Sequence, residues 1–227
     1  AAVVPSKEYY IFAVTEIKRF IYEVGRTYGH LQSDNEASIL AIARGVCREV
    51  GGLSLRHSPA YSSESQGSIE RWHGVVFNQA KIYKLHIEVN YGIQLEVDHA
   101  LIPWIIRHAS WTVNRYSIHT DGLTSYQRRW SHSFQAPLCN FGEVVLFQQS
   151  KPRYQKQRHE TRWLKGLWLG RETDSNEILV GTSTGVYKVR SIRRLVSTEC
   201  YDLAVLREFK STPWNHKNDN QFYPKFV

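Results

Sequence analysis

The chain has 227 residues, with 29 Lys and Arg against 21 Asp and Glu, a net charge of +8 and a pI near 9.4. That length holds one domain and a smaller module, its 42% hydrophobic and 13% aromatic content is that of a globular protein, and no apolar run approaches the roughly 18 residues that span a bilayer. Cys47, Cys139 and Cys200 are odd in number and far apart, which argues against a disulfide framework and offers no Cys-x-x-Cys zinc pair, while the positive excess favours a polyanionic partner.

The residues before Lys7 are too few for the charged and apolar regions of a signal peptide, and a soluble protein in a reducing compartment is expected. Methionine is absent, and the opening residues read as the middle of a domain. A fragment of a longer protein is therefore expected. Residues 1–5 form a short β-prone run, and 7–24 follow with Tyr10, Val14, Ile17, Ile21 and Val24 at amphipathic-helix spacing up to Gly25.

Residues 30–33 read as a buried strand leading to Asp34. Ser33, Asp34 or Asn35 can cap a helix with Ile39, Ile42, Val46 and Val50 on one face, closed by Gly51 and Gly52. Another short strand over 53–56 precedes a serine-rich polar loop over 58–66. The predicted order is thus β-α-β-α-β-loop-α.

A long helix comes after the loop. Ile69, Trp72, Val76, Ala80, Tyr83 and Ile87 recur at intervals of three and four and predict a core-facing stripe, while Glu70, Phe77, Lys81, Lys84 and Glu88 fall on another. A further helix is expected near Pro103, which a first turn tolerates, carrying Trp104, Ile105, His108 and Trp111. From Phe141 short β-prone runs predict a small barrel over 143–147, 162–169, 177–181 and 186–189, with Trp163 and Trp168 in its core. It is crowded by Lys151, Arg153, Lys156, Arg158, Arg162, Lys165, Lys188, Arg190, Arg193 and Arg194. The polar segment from Ser211 is expected to be disordered.

Two carboxylates in this layout have the chemistry of a metal site: hard Mg²⁺ takes carboxylate oxygens, and phosphodiester transfer uses two such ions about 4 Å apart. Asp34 ends a strand and Glu70 opens a helix, with 35 residues between them. Taken singly, Asp34 reads rather as a helix cap and Glu70 as a solvated surface acid, which is what most carboxylates are.

Their context, Ser33-Asp34-Asn35 and then Ser65-Gln66-Gly67-Ser68-Ile69-Glu70-Arg71 with Pro59 and Tyr61 upstream, resembles the second half of the Asp-Asp-35-Glu triad of retroviral and retrotransposon integrases. The resemblance implies a ribonuclease-H-like α/β catalytic core without its N-terminal strands over 1–118, a linker over 119–140, an SH3-like or chromodomain-like β-barrel that binds DNA over 141–196, and a partly disordered tail over 197–227. It implies Asp34 and Glu70 as catalytic metal ligands for two Mg²⁺ or Mn²⁺ ions. Gln66, on a loop that Gly67 frees, would lie near the DNA end, although an ordinary polar loop residue reads the same way.

Lys81 and Lys84 would hold DNA phosphates, or form a solvated face with an internal Lys84–Glu88 pair. Lys151, Arg153, Lys156 and Arg158 would hold DNA backbone in the barrel's basic loop. The segments 107–116 and 124–130 resemble the stretch C-terminal to the core in some retrotransposon polyproteins. Expected partners are double-stranded DNA and further copies of the chain, in the nucleus, with no membrane.

Departures limit how much of the family pattern carries over. Glu36 stands where many relatives have Gly, and Ser62-Ser63-Glu64 replaces an Asn-Pro-Gln-like run, so loop contacts are not transferred. The family's first Asp lies on a strand for which this chain has no counterpart, and Glu8, Glu16 and Glu23 sit in the first helix instead. The triad is incomplete as written, and the chain alone is expected to be inactive, because such units lose most activity when one member is gone. Alternatives are a non-catalytic nucleic-acid or chromatin-binding module descended from an integrase, and a related nuclease or cut-and-paste transposase.

Overall fold

Two parallel strands flanked by amphipathic helices make up the first of two compact units, 1–75, and a longer second unit covers 76–227. The computed structural model describes residues 3–6, 10–57, 67–148 and 163–215. No strand forms over the described residues 3–6, where the β-prone run was expected.

In the first unit α1 (Tyr10–Val24) precedes β1 (Gly29–Ser33), α2 (Ala37–Val50) and β2 (Leu53–His57). The strands pair in parallel with Gly29 opposite Leu53 and Ser33 opposite His57. Val14, Ile21 and Val46 are buried together, with Ile17, Leu31, Ile42, Val50 and Leu53 packed on them. The helical period read from the sequence thus selects the buried faces of both helices. β1 itself is half-exposed rather than buried, because only Leu31 reaches this small core. Gly51 closes α2 at φ 77, a left-handed conformation that lets its N–H reach the Cys47 carbonyl. The cap at the other end is Glu36, whose side chain makes no capping bond, in place of the three polar residues before it.

Helix α3 (Gly67–Tyr91) runs from the first unit into the second. Val76, Ala80, Ile87 and Tyr91 bury its second-unit face. The second unit continues through α4 (Leu101–Tyr116), α5 (Ser125–Trp130), β3 (Val144–Phe147), β4 (Leu164–Arg171), β5 (Ile178–Thr182), β6 (Gly185–Val189), β7 (Ile192–Arg194) and α6 (Leu203–Glu208). Its strands form one antiparallel sheet in the order β6-β5-β4-β3-β7. The sheet is open: edge strands β6 and β7 do not pair with each other among the described residues, so the expected barrel is not closed.

One apolar core joins α3 and α4 to this sheet through Ile87, Leu101, Trp104, Ile105, Val144, Phe147, Leu167, Trp168 and Val180. Each fully buried aliphatic or aromatic side chain of this kind contributes about 1.5–3 kcal/mol. Trp168 is core as expected, whereas Trp163 is only half-buried under the Arg193 guanidinium, whose Cζ lies 4.3 Å from the ring centroid. Residues 197–215 carry α6, capped by Asp202 accepting from the Ala204 N–H, and place Leu206 and Phe209 in the core.

The buried carboxylates described in this unit, Glu143 and Glu172, are each paired with a cation. Glu172 accepts from Arg107 Nη2 at 2.6 Å and lies 3.2 Å from Lys188 Nζ. Arg115 sits among the rings of Trp111, Phe134 and Tyr126, its Cζ 4.3, 5.2 and 5.4 Å from their centroids, and ties the end of α4 to α5 and the segment beyond it.

Candidate functional site

The parallel register of β1 and β2 brings Ser33 and His57 side by side at the C-terminal edge of the pair, the edge at which open α/β sheets bind ligands. Asp34 is the next residue after β1 and is exposed. Its Oδ1 accepts the Asn35 N–H at 2.7 Å. It does not cap α2, which begins three residues later behind Glu36. The carboxylate is thus held by its own turn and presented to solvent.

His57 was not singled out by sequence reasoning. Its Nδ1 lies 3.3 Å from Asn35 Oδ1, so β2 braces the turn that carries Asp34. The only sequence signal was its place at the end of the predicted strand over 53–56, and pairing register cannot be read from one strand.

Glu70 occupies the first turn of α3 and is exposed. There its charge complements the unpaired N–H groups of the helix start. Beside it Arg71 Nε donates to the Gly67 carbonyl at 3.2 Å. Asp34 and Glu70 therefore lie in the same compact unit, one at a strand end and one at a helix start. Gln66 lies outside the described residues.

Carboxylates are the donor type that Mg²⁺ requires, and Asp34 and Glu70 supply it. Among the described residues no three His, Cys, Asp or Glu side chains converge to hold a metal. The pair has the right chemistry but does not by itself make a complete metal centre.

Farther along α3, Lys81 is exposed and Lys84 forms an ion pair with Glu88 at 3.1 Å. Glu88 Oε1 also accepts the Leu95 N–H at 2.8 Å. That bond and Lys84 hold the Glu88 carboxyl below its usual range. Lys84 is thus engaged locally, and Lys81 is the more available cation.

The basic residues of the sheet are partly neutralised from within. Arg194 grips Glu143, Lys188 reaches Glu172, and Lys165 lies 3.3 Å from Asp202. Arg190 and Arg193 remain at the surface, the latter over Trp163. Lys151, Arg153, Lys156 and Arg158, the predicted DNA-binding loop, lie outside the described residues. No helix among the described residues is long and apolar enough to cross a membrane.

No protein-family model matches the sequence, and no curated protein matches it. Among solved structures, a chain of the simian T-cell lymphotropic virus intasome in complex with PP2A regulatory subunit B56 gamma aligns with 81% of this chain at 17% identity and a TM-score of 0.39. This chain spans 63% of the length of that one. The likeness is distant and assigns neither a family nor an activity.

Proposed function

We propose that the chain is a fragment of a retrotransposon-type integrase, a nucleic-acid-binding protein whose intact parent joins element DNA to target DNA. The observation that supports this reading is the order in which the two carboxylates are met. Asp34 follows β1, Glu70 lies in the first turn of α3, and α2 and β2 intervene. That is the layout the motifs around both residues imply.

On this reading Asp34 and Glu70 are two ligands of a divalent-metal site completed by a carboxylate outside the described residues. Bound Mg²⁺ or Mn²⁺ would supply charge stabilisation to the attacking and leaving oxygens of a phosphodiester. Asn35 and His57 would keep the Asp34 turn in place, and Lys81 would neutralise a phosphate. The basic residues after β3 would hold DNA backbone without reading sequence. The DNA partner, self-association on paired DNA ends and a nuclear setting belong to the same proposal.

A second reading is a binding module without chemistry, favoured by the lack of three convergent metal-ligating side chains among the described residues. Both readings predict DNA binding by the purified chain, and they part at catalysis. The experiment is duplex binding by fluorescence anisotropy across a salt series, together with Mn²⁺-dependent joining of a recessed 3′ end. Replacing Lys151, Arg153, Lys156 and Arg158 with Ala should flatten the salt dependence by as much as about 3.6 in log–log slope. An unchanged slope refutes the basic-loop assignment. Joining by this chain that is lost in Asp34→Asn would show it to be active by itself, and joining that survives in Asp34→Asn would remove Asp34 from the site.

A further inference from the structure

Helix α3 has an apolar stripe that the core does not use. Val75, Ile82, Leu85 and Val89 are 47–71% exposed, and they lie on the side of the helix away from buried Val76, Ala80 and Ile87. Their spacing is that of a heptad seam: Val75, Ile82 and Val89 recur every seven residues, and Asn78 and Leu85 fall three residues after the first two. β-branched residues thus occupy one seam position, and Asn78 and Leu85 the other, in the heptad spacing of a coiled-coil contact. Isolated exposed apolar side chains need no explanation, but a continuous seam in coiled-coil register does.

We propose that this seam is the contact between two copies of the chain, with α3 packed antiparallel on its counterpart about a two-fold axis near Ile82 and Leu85. A two-fold contact needs a self-complementary surface, and the residues flanking the seam provide one. In the antiparallel arrangement Lys81 of one copy faces Glu88 of the other, and symmetry makes this pair twice. In the parallel arrangement Lys81 would face His86 and Glu88 would face Ile93, with no charge matched. Glu88 uses Oε1 for both Lys84 and the Leu95 N–H, which leaves Oε2 for the other copy's Lys81. Ile82 of each copy packs on Leu85 of the other at the centre, and Asn78 meets Val89 at the rim.

The seam is short. In this register Val75 falls opposite Gly92, past the end of α3, and the three apolar side chains that meet the other copy, Ile82, Leu85 and Val89, fall below the roughly 800 Å² per partner of a standard stable interface, so the dimer should be weak, with dissociation in the micromolar range. This inference rests on the self-association proposed above and is independent of the DNA chemistry.

The test is sedimentation velocity of the full chain across the micromolar range. The expected result is a concentration-dependent shift from monomer to dimer in the unmodified protein. Leu85→Glu, at an exposed position that should not disturb folding, should stay monomeric with an unchanged circular dichroism spectrum. Lys81→Glu, which turns both flanking attractions into repulsions, should weaken association by about tenfold. A monomer at every concentration overturns both the self-association and the seam. A dimer that persists unchanged in Leu85→Glu overturns the seam alone. DNA binding measured on Leu85→Ser, which adds no charge beside Lys81 and Lys84, tests the nucleic-acid reading separately.

Discussion

Arg194 grips Glu143 with two parallel hydrogen bonds, Nε to Oε1 at 2.7 Å and Nη2 to Oε2 at 2.8 Å, and Glu143 is completely buried. The pair ties β7 to the start of β3, and Glu143 Oε2 also accepts the Asn140 N–H at 3.2 Å. Arg194→Ala leaves the carboxylate without its cation and should cost about 1–3 kcal/mol of stability in urea denaturation. The double replacement Glu143→Leu with Arg194→Leu removes both charges and should recover most of that loss. A double variant no better than Arg194→Ala would show that the pair is not the origin of the effect.

His108 sets an acid limit on stability. Burial among Tyr83, Trp111, Phe141 and Trp168, and secondarily the Arg115 charge, push its pKa down to about 3. It is neutral in the fold, while in the unfolded chain it takes a proton near pH 6.5. The unfolded state therefore binds more protons between these values, and stability falls as pH drops from about 6.5 towards 3. His99, lowered chiefly by burial, adds to the same limb. In His108→Phe the slope of unfolding free energy against pH should be shallower by up to about 1.4 kcal/mol per pH unit in that window. Parallel slopes in the two proteins would refute the assignment.

Gly170 makes room for that imidazole. It has φ 103, and a Cβ added there would lie 2.6 Å from His108 Nδ1. Gly170→Ala therefore combines backbone strain with a clash and should destabilise by about 1–3 kcal/mol. His108→Ala in the same chain should relieve the steric part. Strictly additive losses in the double variant would show that the two positions do not meet.

Periodicity in the sequence identified which residues share a helix face, and it could not identify which part of a face is covered. Along α3 the predicted stripe is buried at Val76, Ala80 and Ile87 but exposed at Ile69 and Trp72. The 3.6-residue period is a property of the helix, whereas burial depends on what the rest of the chain brings to it. Strand pairs obey the same limit. β3 to β6 were visible as apolar runs, but β7 has three residues and α6 six, too few for either period to register. For α6 an Asp at the cap before an apolar run was the available signal. At the candidate site, motif and spacing located Asp34 and Glu70. The brace from His57 to Asn35 depends on parallel register and was not legible.

Lys81 and Lys84 separate two uses of the same helix. Lys84 already neutralises Glu88 at 3.1 Å and must leave it to meet a phosphate, whereas exposed Lys81 makes no ion pair among the described residues. If α3 lies along DNA, Lys81→Ala should lower the slope of log affinity against log salt by about 0.9, the full value of one neutralised phosphate. Lys84→Ala should lower the slope by less. It should weaken binding at every salt concentration, because Glu88 is left facing the phosphates without its cation. Lys81 also flanks the α3 seam, so the comparison belongs in the nanomolar range, where a weak dimer is dissociated and the cation is free for DNA. Equal slopes for the unmodified chain and Lys81→Ala would remove α3 from the DNA surface and leave the residues after β3 as its remaining candidate.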